Sequence, residues 1–172
     1  GPVEERLFRA VNRLPDGCYL PAWVLMQAGN LAAVPVAAGC AVLAGRDRLA
    51  VRMALAGVST WTLSKLIKRS YRRPRPPALI EDARSRGPEP SGLGYVSGHA
   101  GIAVAIGAAG WGYLDTPGRL ALLMMVPTVG LCRIYVGAHL PLDVVGGAAL
   151  GLTADAIFAG LLPAPVGGLR YR

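Results

Sequence analysis

Two histidines, His99 and His139, are the only ones in this 172-residue chain, and each lies in a short polar patch at the end of an apolar run. Asp143 follows His139 by about one helical turn, so its carboxylate can accept a hydrogen bond from one ring nitrogen of that histidine. The other ring nitrogen is then oriented as a nucleophile. A second histidine opposite the first can donate a proton to a leaving oxygen. These residue types predict covalent phosphoryl transfer without a metal.

The patch around His99 reads Tyr95-Val96-Ser97-Gly98-His99 and directly precedes an apolar run. Ser97 is a favourable helix N-cap, and the first backbone N–H groups of the helix, near Gly98, form a ready anion site. The alternative for this patch taken alone is a capping serine beside an interfacial histidine that has no catalytic role.

Two basic patches complete the candidate site. One begins at Lys68 and includes Arg75, and the other contains Arg133, six residues before His139. Arginine binds phosphate oxygens through paired hydrogen bonds and lysine binds them as a point charge. Basic clusters beside membrane helices are also common topology signals and lipid head-group contacts. The first patch therefore does not establish phosphate binding by itself.

The composition predicts a membrane protein. Hydrophobic residues make up 53% of the chain and charged residues only 16%, whereas roughly a quarter of a soluble domain is charged. The net charge of +8 suits an anionic membrane surface or substrate, and the apolar composition argues against a nucleic-acid partner. The cysteines have neither zinc-site nor disulfide spacing, so we expect no metal and no cofactor; they are Cys18, Cys40 and Cys132.

Apolar runs and their breaks predict an all-α integral membrane bundle in a single domain over residues 1–172. Residues 3–14 have an apolar and a charged face, which is typical of an interfacial helix. Pro and Gly divide the next uncharged stretch into a short helix near 19–28 and a membrane helix near 30–45. With four further spans, this makes five transmembrane helices; the four are expected near 49–68, 98–114, 118–136 and 142–162. Asp155, in the last span, is expected to hydrogen-bond to Ser or Thr on a neighbouring helix.

Alternating spans bring the polar patches to one membrane surface, called face A here and defined as the surface that carries Lys68, His99 and His139. The second span ends there, the third begins there, and the connection between the fourth and fifth lies there. An active-site loop over residues 65–98 joins the first two patches. We therefore expect residues that are distant in sequence to form one site.

The three patches together resemble the signature of the type 2 phosphatidic acid phosphatase family, the membrane lipid phosphatase branch of the acid phosphatase and vanadium haloperoxidase superfamily. The resemblance covers residues from about 65 to 145 and agrees in order, spacing and topology. The family has proline where this chain has Val96 and serine where it has Cys132, and neither departure changes a group assigned to chemistry. The matching residues are Lys68 to Arg75-Pro76, Ser97-Gly98-His99, and Arg133 to His139 to Asp143.

The resemblance implies that His139 attacks phosphorus to form a phosphohistidine, that Asp143 orients it, and that His99 protonates the leaving group. The groups that would hold the phosphate oxygens are Lys68, Arg75, Ser97, the Gly98 backbone and Arg133. The implied substrate is a lipid phosphate or pyrophosphate on a polyprenyl or glycerolipid carrier. The family commonly has six spans, so we expect one span to precede residue 1.

The resemblance also implies a bacterial plasma (inner) membrane enzyme whose site faces outward. Basic residues at the opposite surface, face B, agree with a cytoplasmic face B by the positive-inside rule; they include Arg46, Arg48, Arg52 and Arg119. Gly147 and Gly151 have the spacing of small residues at helix contacts, either within the chain or at a homodimer face.

Two other functions use the same residues. A non-catalytic lipid-phosphate binder or flippase would need the cations to hold its cargo, but it would not need an oriented nucleophile. A lipid phosphotransferase would pass the phosphoryl group to an acceptor other than water. The apolar spans argue against the soluble haloperoxidase branch.

Overall fold

The computed structural model describes residues 1–88 and 92–162, and all regular elements in these ranges are helical. The predicted all-α class is therefore confirmed. Short 3₁₀ turns accompany the α-helices at Asp16–Cys18, Gln27–Gly29, Pro76–Ala78 and Trp111–Tyr113. The α-helices in chain order are α1 Pro2–Asn12, α2 Tyr19–Met26, α3 Ala33–Leu43, α4 Asp47–Tyr71, α5 Gly98–Gly110, α6 Thr116–Tyr135 and α7 Pro141–Leu161.

Helix α5 lies at the centre of the bundle, where it contacts α3, α4, α6 and α7. Its buried positions are almost all glycine or alanine, and Ile102 is the one large side chain among them. Small side chains let neighbouring helix backbones approach closely, which is how helices pack where water supplies no driving force. The sequence of α5 therefore favours a central position with neighbours on several sides.

Two glycines of α7 determine how closely it packs against α5. A Cβ atom at Gly147 would collide with the carbonyl group of Ser97, and one at Gly151 would collide with the carbonyl group of Gly101. The small-residue spacing predicted here serves packing within the chain. It brings the first turns of α5 and α7 together at face A.

Both of those first turns have the predicted local chemistry. The Ser97 side chain accepts a hydrogen bond from the Ala100 N–H at 3.4 Å as the N-cap of α5, and Pro141 is the first residue of α7. The Ser97 N–H also donates to the Asp143 carbonyl oxygen at 2.8 Å. This hydrogen bond joins the start of one helix to the start of the other.

Helix α1 is present, but it buries a different stripe from the one its sequence pattern indicates. Glu4, Phe8 and Asn12 recur every four residues and are all buried, whereas Val3 and Leu7 are exposed. Phe8 packs in an apolar cluster with Ile80, Ile134 and Leu140. Glu4 was predicted to lie on the charged, exposed face of this helix. It is buried instead, because its side chain forms ion pairs inside the protein.

The helices differ in whether their length and apolar composition would let them span a membrane. Among the described residues, α6 and α7 are each long and apolar enough to cross, and a third crossing results if Asp16–Gly29 and Ala33–Leu43, bent by 62°, form one span. Helix α4 has 25 residues but carries several charges, and α5 has only 13 residues. Length and composition thus support two or three spans rather than the predicted five.

A partly buried ion pair joins α4 to α7. The Arg52 Nε and Nη2 atoms donate to the two carboxylate oxygens of Asp155 at 2.7 and 2.6 Å. The prediction that Asp155 hydrogen-bonds to Ser or Thr was wrong, because the arginine in the second turn of α4 reaches it instead. This pairing satisfies a carboxylate that would otherwise be costly in an apolar helix.

We expect Gly147→Ala to lower the free energy of unfolding by about 1–3 kcal/mol, because the added methyl group overpacks a backbone contact that cannot rotate away. Gly160→Ala, in the same helix but with open space around its Cβ position, is the matched control. It should leave stability unchanged or raise it by up to about 1 kcal/mol, because alanine is the better helix former. Unfolding in detergent measures both, and equal stability of the two variants would contradict the packing role of Gly147.

Candidate active site

The predicted site residues meet at the face-A end of the bundle. A cavity of about 400 Å³ opens there, and Arg75, His99 and Arg133 are among the residues that line it. The loop after α4, the first turn of α5 and the last turn of α6 supply these three side chains. Elements that are far apart in sequence therefore converge on one cavity.

Lys68 and Arg75 are held by the backbone of neighbouring segments. The Lys68 Nζ donates to the carbonyl oxygens of Leu93 and Gly94 at 3.2 and 3.1 Å, and the Arg75 Nη1 donates to the carbonyl oxygen of Ala138 at 2.8 Å. Burial lowers the pKa of the Arg75 guanidinium, while the Asp143 carboxylate acts in the opposite direction. Two cations are thus fixed in orientation near the catalytic candidates.

The guanidinium of Arg133 has a hydrogen-bond donor that is not satisfied within the protein. Its Nη1 contacts the sulfur of Met26 at 3.3 Å, and its Nε is buried without a hydrogen-bond partner. An unpaired buried donor costs free energy, and more when it is charged. A phosphate oxygen in the cavity is the kind of acceptor that this guanidinium lacks.

His139 lies between α6 and α7 and is 2% exposed. Its Nδ1 is 3.6 Å from the Oδ2 of Asp143, which is longer than a hydrogen bond, and it has no other partner. The same Oδ2 accepts the Leu140 N–H at 2.8 Å, and Oδ1 accepts the Nη1 of Arg73 at 2.9 Å. The carboxylate is therefore held beside the imidazole. Catalytic hydrogen bonds are often long before a substrate binds.

The surroundings of His139 keep its imidazole neutral. Burial lowers its pKa to about 3; Asp143 opposes this change, and the positive charges of Lys68, Arg133 and Arg75 reinforce it. The ring is accordingly unprotonated throughout the neutral pH range. A neutral imidazole is the form that can attack phosphorus.

His99 stands in the first turn of α5 and faces the cavity. The same three cations, Lys68, Arg75 and Arg133, act electrostatically on His99 and on His139. Gly29, in the bend between α2 and α3, packs against the backbone of His99, where a Cβ atom would not fit. The two histidines therefore share one basic site.

Part of this site was not predicted from the sequence. Arg73 lies in the basic segment between Lys68 and Arg75, and its position two residues before Arg75 is a usable signal. Glu4, which binds Arg73 at 2.6 Å, carries no signal in the sequence. The cavity wall formed by α2 and the α2–α3 bend was not predicted either; it includes Tyr19, Trp23, Gln27 and Asn30.

No group of three or more His, Cys, Asp or Glu side chains within residues 1–88 and 92–162 is arranged to hold a metal ion. The charged side chains that line the cavity are three arginines, Arg75, Arg86 and Arg133, which suit an anionic ligand.

Curated relatives that are similar to this chain include two phosphatases. A decaprenylphosphoryl-5-phosphoribose phosphatase of Mycobacterium tuberculosis is 36% identical over 116 residues, covering 64% of this chain and 56% of the relative. An undecaprenyl-diphosphatase of Sulfolobus acidocaldarius is 28% identical over 120 residues, covering 69% of this chain and 57% of the relative. The chain spans a little over half the length of these relatives.

Two crystal structures have the same fold. Aquifex aeolicus LpxE superimposes with a TM-score of 0.79 at 23% identity, over 90% of this chain and 93% of that one. A transmembrane PAP2 type phosphatidylglycerolphosphate phosphatase from Bacillus subtilis superimposes with a TM-score of 0.72 at 20% identity, over 99% of this chain and 88% of that one. The PAP2 superfamily model matches residues 48–164, a range that includes every predicted site residue. Because the model matches more than half of the chain, the chain belongs to the PAP2 superfamily.

Proposed function

We propose that this protein is a membrane-embedded lipid phosphatase that hydrolyses a lipid phosphate or pyrophosphate through a phosphohistidine intermediate. The observation that carries the proposal is a neutral, buried His139 beside Asp143, within the field of Lys68, Arg75 and Arg133, of which the two arginines line the cavity. Binding alone does not require an oriented imidazole next to a carboxylate. Both curated relatives are named for polyprenyl substrates, which supports a polyprenyl carrier.

In the first step the Nε2 atom of His139 attacks phosphorus, an N–P bond forms, and the bond from phosphorus to the leaving oxygen breaks. Asp143 stabilises the positive charge that develops on the imidazole. His99 donates a proton to the leaving oxygen. The phosphate oxygens are held by Lys68, Arg75, Arg133, Ser97 and the Gly98 backbone, which offset the negative charge of the transition state.

In the second step water attacks the phosphohistidine. His99, now unprotonated, accepts a proton from that water, the N–P bond breaks, and phosphate leaves. His139 returns to its neutral form and the cycle closes. An alcohol in the position of the water would make the same site a phosphotransferase.

For the membrane arrangement we propose five spans, α3 to α7, in a single domain, with α1 at the membrane surface and the cavity on the outer side of the plasma membrane. Exposed apolar side chains on α1 support its interfacial position; they are Val3 and Leu7, with Leu14 just beyond the helix. The short α3 and α5 fit this proposal if the bilayer is thin around them or if adjoining 3₁₀ turns extend them.

We expect the purified protein to release phosphate from a lipid phosphate or pyrophosphate, and His139→Ala to lower kcat by at least about 10⁴-fold, as loss of a nucleophile does. Arg119→Gln, at face B and stacked on Trp111, is the control and should keep full activity. The panel comprises phosphatidate, phosphatidylglycerol phosphate, and undecaprenyl phosphate and pyrophosphate. A protein that binds these lipids equally well with and without His139, and releases no phosphate, would be a binder or flippase.

We expect inorganic phosphate to raise the unfolding temperature, because an anion that binds only the folded cation cluster stabilises it, by about 2.7 kcal/mol at 100 times its Kd. Arg133→Gln should remove most of this shift, and Arg119→Gln should retain it. Differential scanning fluorimetry in detergent makes the measurement. An equal shift from chloride at the same ionic strength would contradict a phosphate site.

Membrane-impermeant thiol labelling tests the proposed orientation. In a background where Cys18, Cys40 and Cys132 are replaced by serine or alanine, we expect Glu81→Cys to react from outside intact cells. Pro117→Cys should react only after the membrane is opened. Both positions are exposed in the structure. The reverse labelling pattern would place the site in the cytoplasm.

A further inference from the structure

A relay of charged side chains leads from α1 to Asp143. Arg73 donates from Nη1 to the Oδ1 of Asp143 at 2.9 Å and from Nη2 to the Oε2 of Glu4 at 2.6 Å. The other oxygen of Glu4 accepts the Leu142 N–H at 3.1 Å, in the first turn of α7. The amino group of Gly1 is 3.8 Å from Glu4, beyond hydrogen-bond distance. One guanidinium thus bridges two buried carboxylates.

We propose that Glu4 and Arg73 are positioning residues for the phosphatase reaction. Arg73 holds Asp143 in the rotamer that faces His139, and Glu4 offsets the charge of Arg73 so that Asp143 keeps its negative charge available to the imidazole. The inference rests on the proposed function, because the orientation of Asp143 affects turnover only if His139 is the nucleophile.

The geometry explains why an arginine at Asp143 needs a second carboxylate. As His139 attacks, positive charge develops on its ring, and Asp143 must stabilise that charge. A cation hydrogen-bonded to Asp143 alone would cancel much of the carboxylate's field at the ring. Glu4, on the other arm of the guanidinium, restores one net negative charge to the three side chains, the same charge that Asp143 carries by itself.

Anchoring α1 does not require this relay. Phe8 is fully buried, and the side-chain amide of Asn12 donates to the carbonyl oxygens of Arg84 and Tyr135, each at 2.9 Å. Buried ion pairs add little net stability, because desolvation offsets their attraction. Other contacts anchor α1, so the main effect of the relay is its contact with Asp143.

Neither residue is part of the three-part signature. Arg73 lies among the six residues between Lys68 and Arg75, whose identity that signature leaves open. Glu4 lies outside residues 48–164, the range that the family model matches. The relay therefore assigns a role to α1 that the signature does not describe.

Glu4→Gln is the most informative variant, because the glutamine keeps an acceptor for the Leu142 N–H and loses only the charge. We expect it to lower kcat about 10-fold and Arg73→Gln to lower it about 10- to 100-fold, the range usual for outer partners that orient a site residue. KM should stay within about twofold in both, because the phosphate is held by other cations. The control is Glu5→Gln, whose carboxylate pairs with Arg9 on the exposed side of α1, and it should retain wild-type kcat.

A double variant separates a relay from two independent effects. Because Glu4 acts on Asp143 through Arg73, Glu4→Gln combined with Arg73→Gln should be no slower than Arg73→Gln alone. If Arg73→Gln does not fold, Arg73→Lys takes its place, since a lysine keeps the charge but cannot bridge both carboxylates in parallel. An unchanged kcat in Glu4→Gln, an effect confined to KM, or multiplicative losses in the double variant would overturn the relay.

Imidazole spectra provide a readout that does not depend on turnover. The chain has only two histidines, so histidine-selective ¹⁵N labelling resolves both rings, with His99→Gln for assignment. We expect the Nδ1-protonated tautomer of His139 in the wild type and a smaller fraction of it in Glu4→Gln, with Glu5→Gln unchanged. If the wild type hydrolyses no lipid phosphate, the proposed function fails, and the tautomer shift still tests the relay. An unchanged His139 spectrum in Glu4→Gln would overturn it.

Discussion

The contact between the first turns of α5 and α7 is the constraint on which the site depends. The Ser97 N–H donates to the Asp143 carbonyl oxygen at 2.8 Å, and Gly147 leaves no space for a side chain beneath Ser97. His99 lies two residues after Ser97, and His139 lies four residues before Asp143. A wider separation of the two helices would therefore separate the two histidines. The close packing of small residues therefore also determines where the two reactive histidines are placed.

A second constraint is the concentration of positive charge in an apolar bundle. Lys68 donates to two carbonyl oxygens, which fix its position without cancelling its charge. Arg133 has a buried Nε with no partner. Arg73, by contrast, is ion-paired on both arms of its guanidinium. The charges of Lys68 and Arg133 are thus available to a ligand, whereas the charge of Arg73 is balanced by carboxylates inside the protein.

The active-site loop is held by contacts with α1 and with the end of α6. Arg86 donates to the carbonyl oxygens of Asn12, Leu14 and Tyr135, and its guanidinium lies 4.2 Å from the Tyr135 ring centroid. Asn12 in turn accepts the Arg84 N–H at 2.8 Å. Because Arg75 belongs to the same loop, α1 and the end of α6 contribute to its position.

The sequence predicted the features that depend on short-range geometry: the all-α class, the helix starts at Ser97 and Pro141, and the four-residue spacing of His139 and Asp143. It also indicated that the three patches meet at one end of the bundle, because chain direction alternates between spans. The pairing of distant groups could be read only from the folded structure, namely Arg73 with Asp143 and Glu4, and Arg52 with Asp155. Local hydrogen bonds and helix periodicity are set by neighbouring residues, whereas long-range partners depend on how far each helix is rotated about its axis. That rotation follows from the packing of all the helices together.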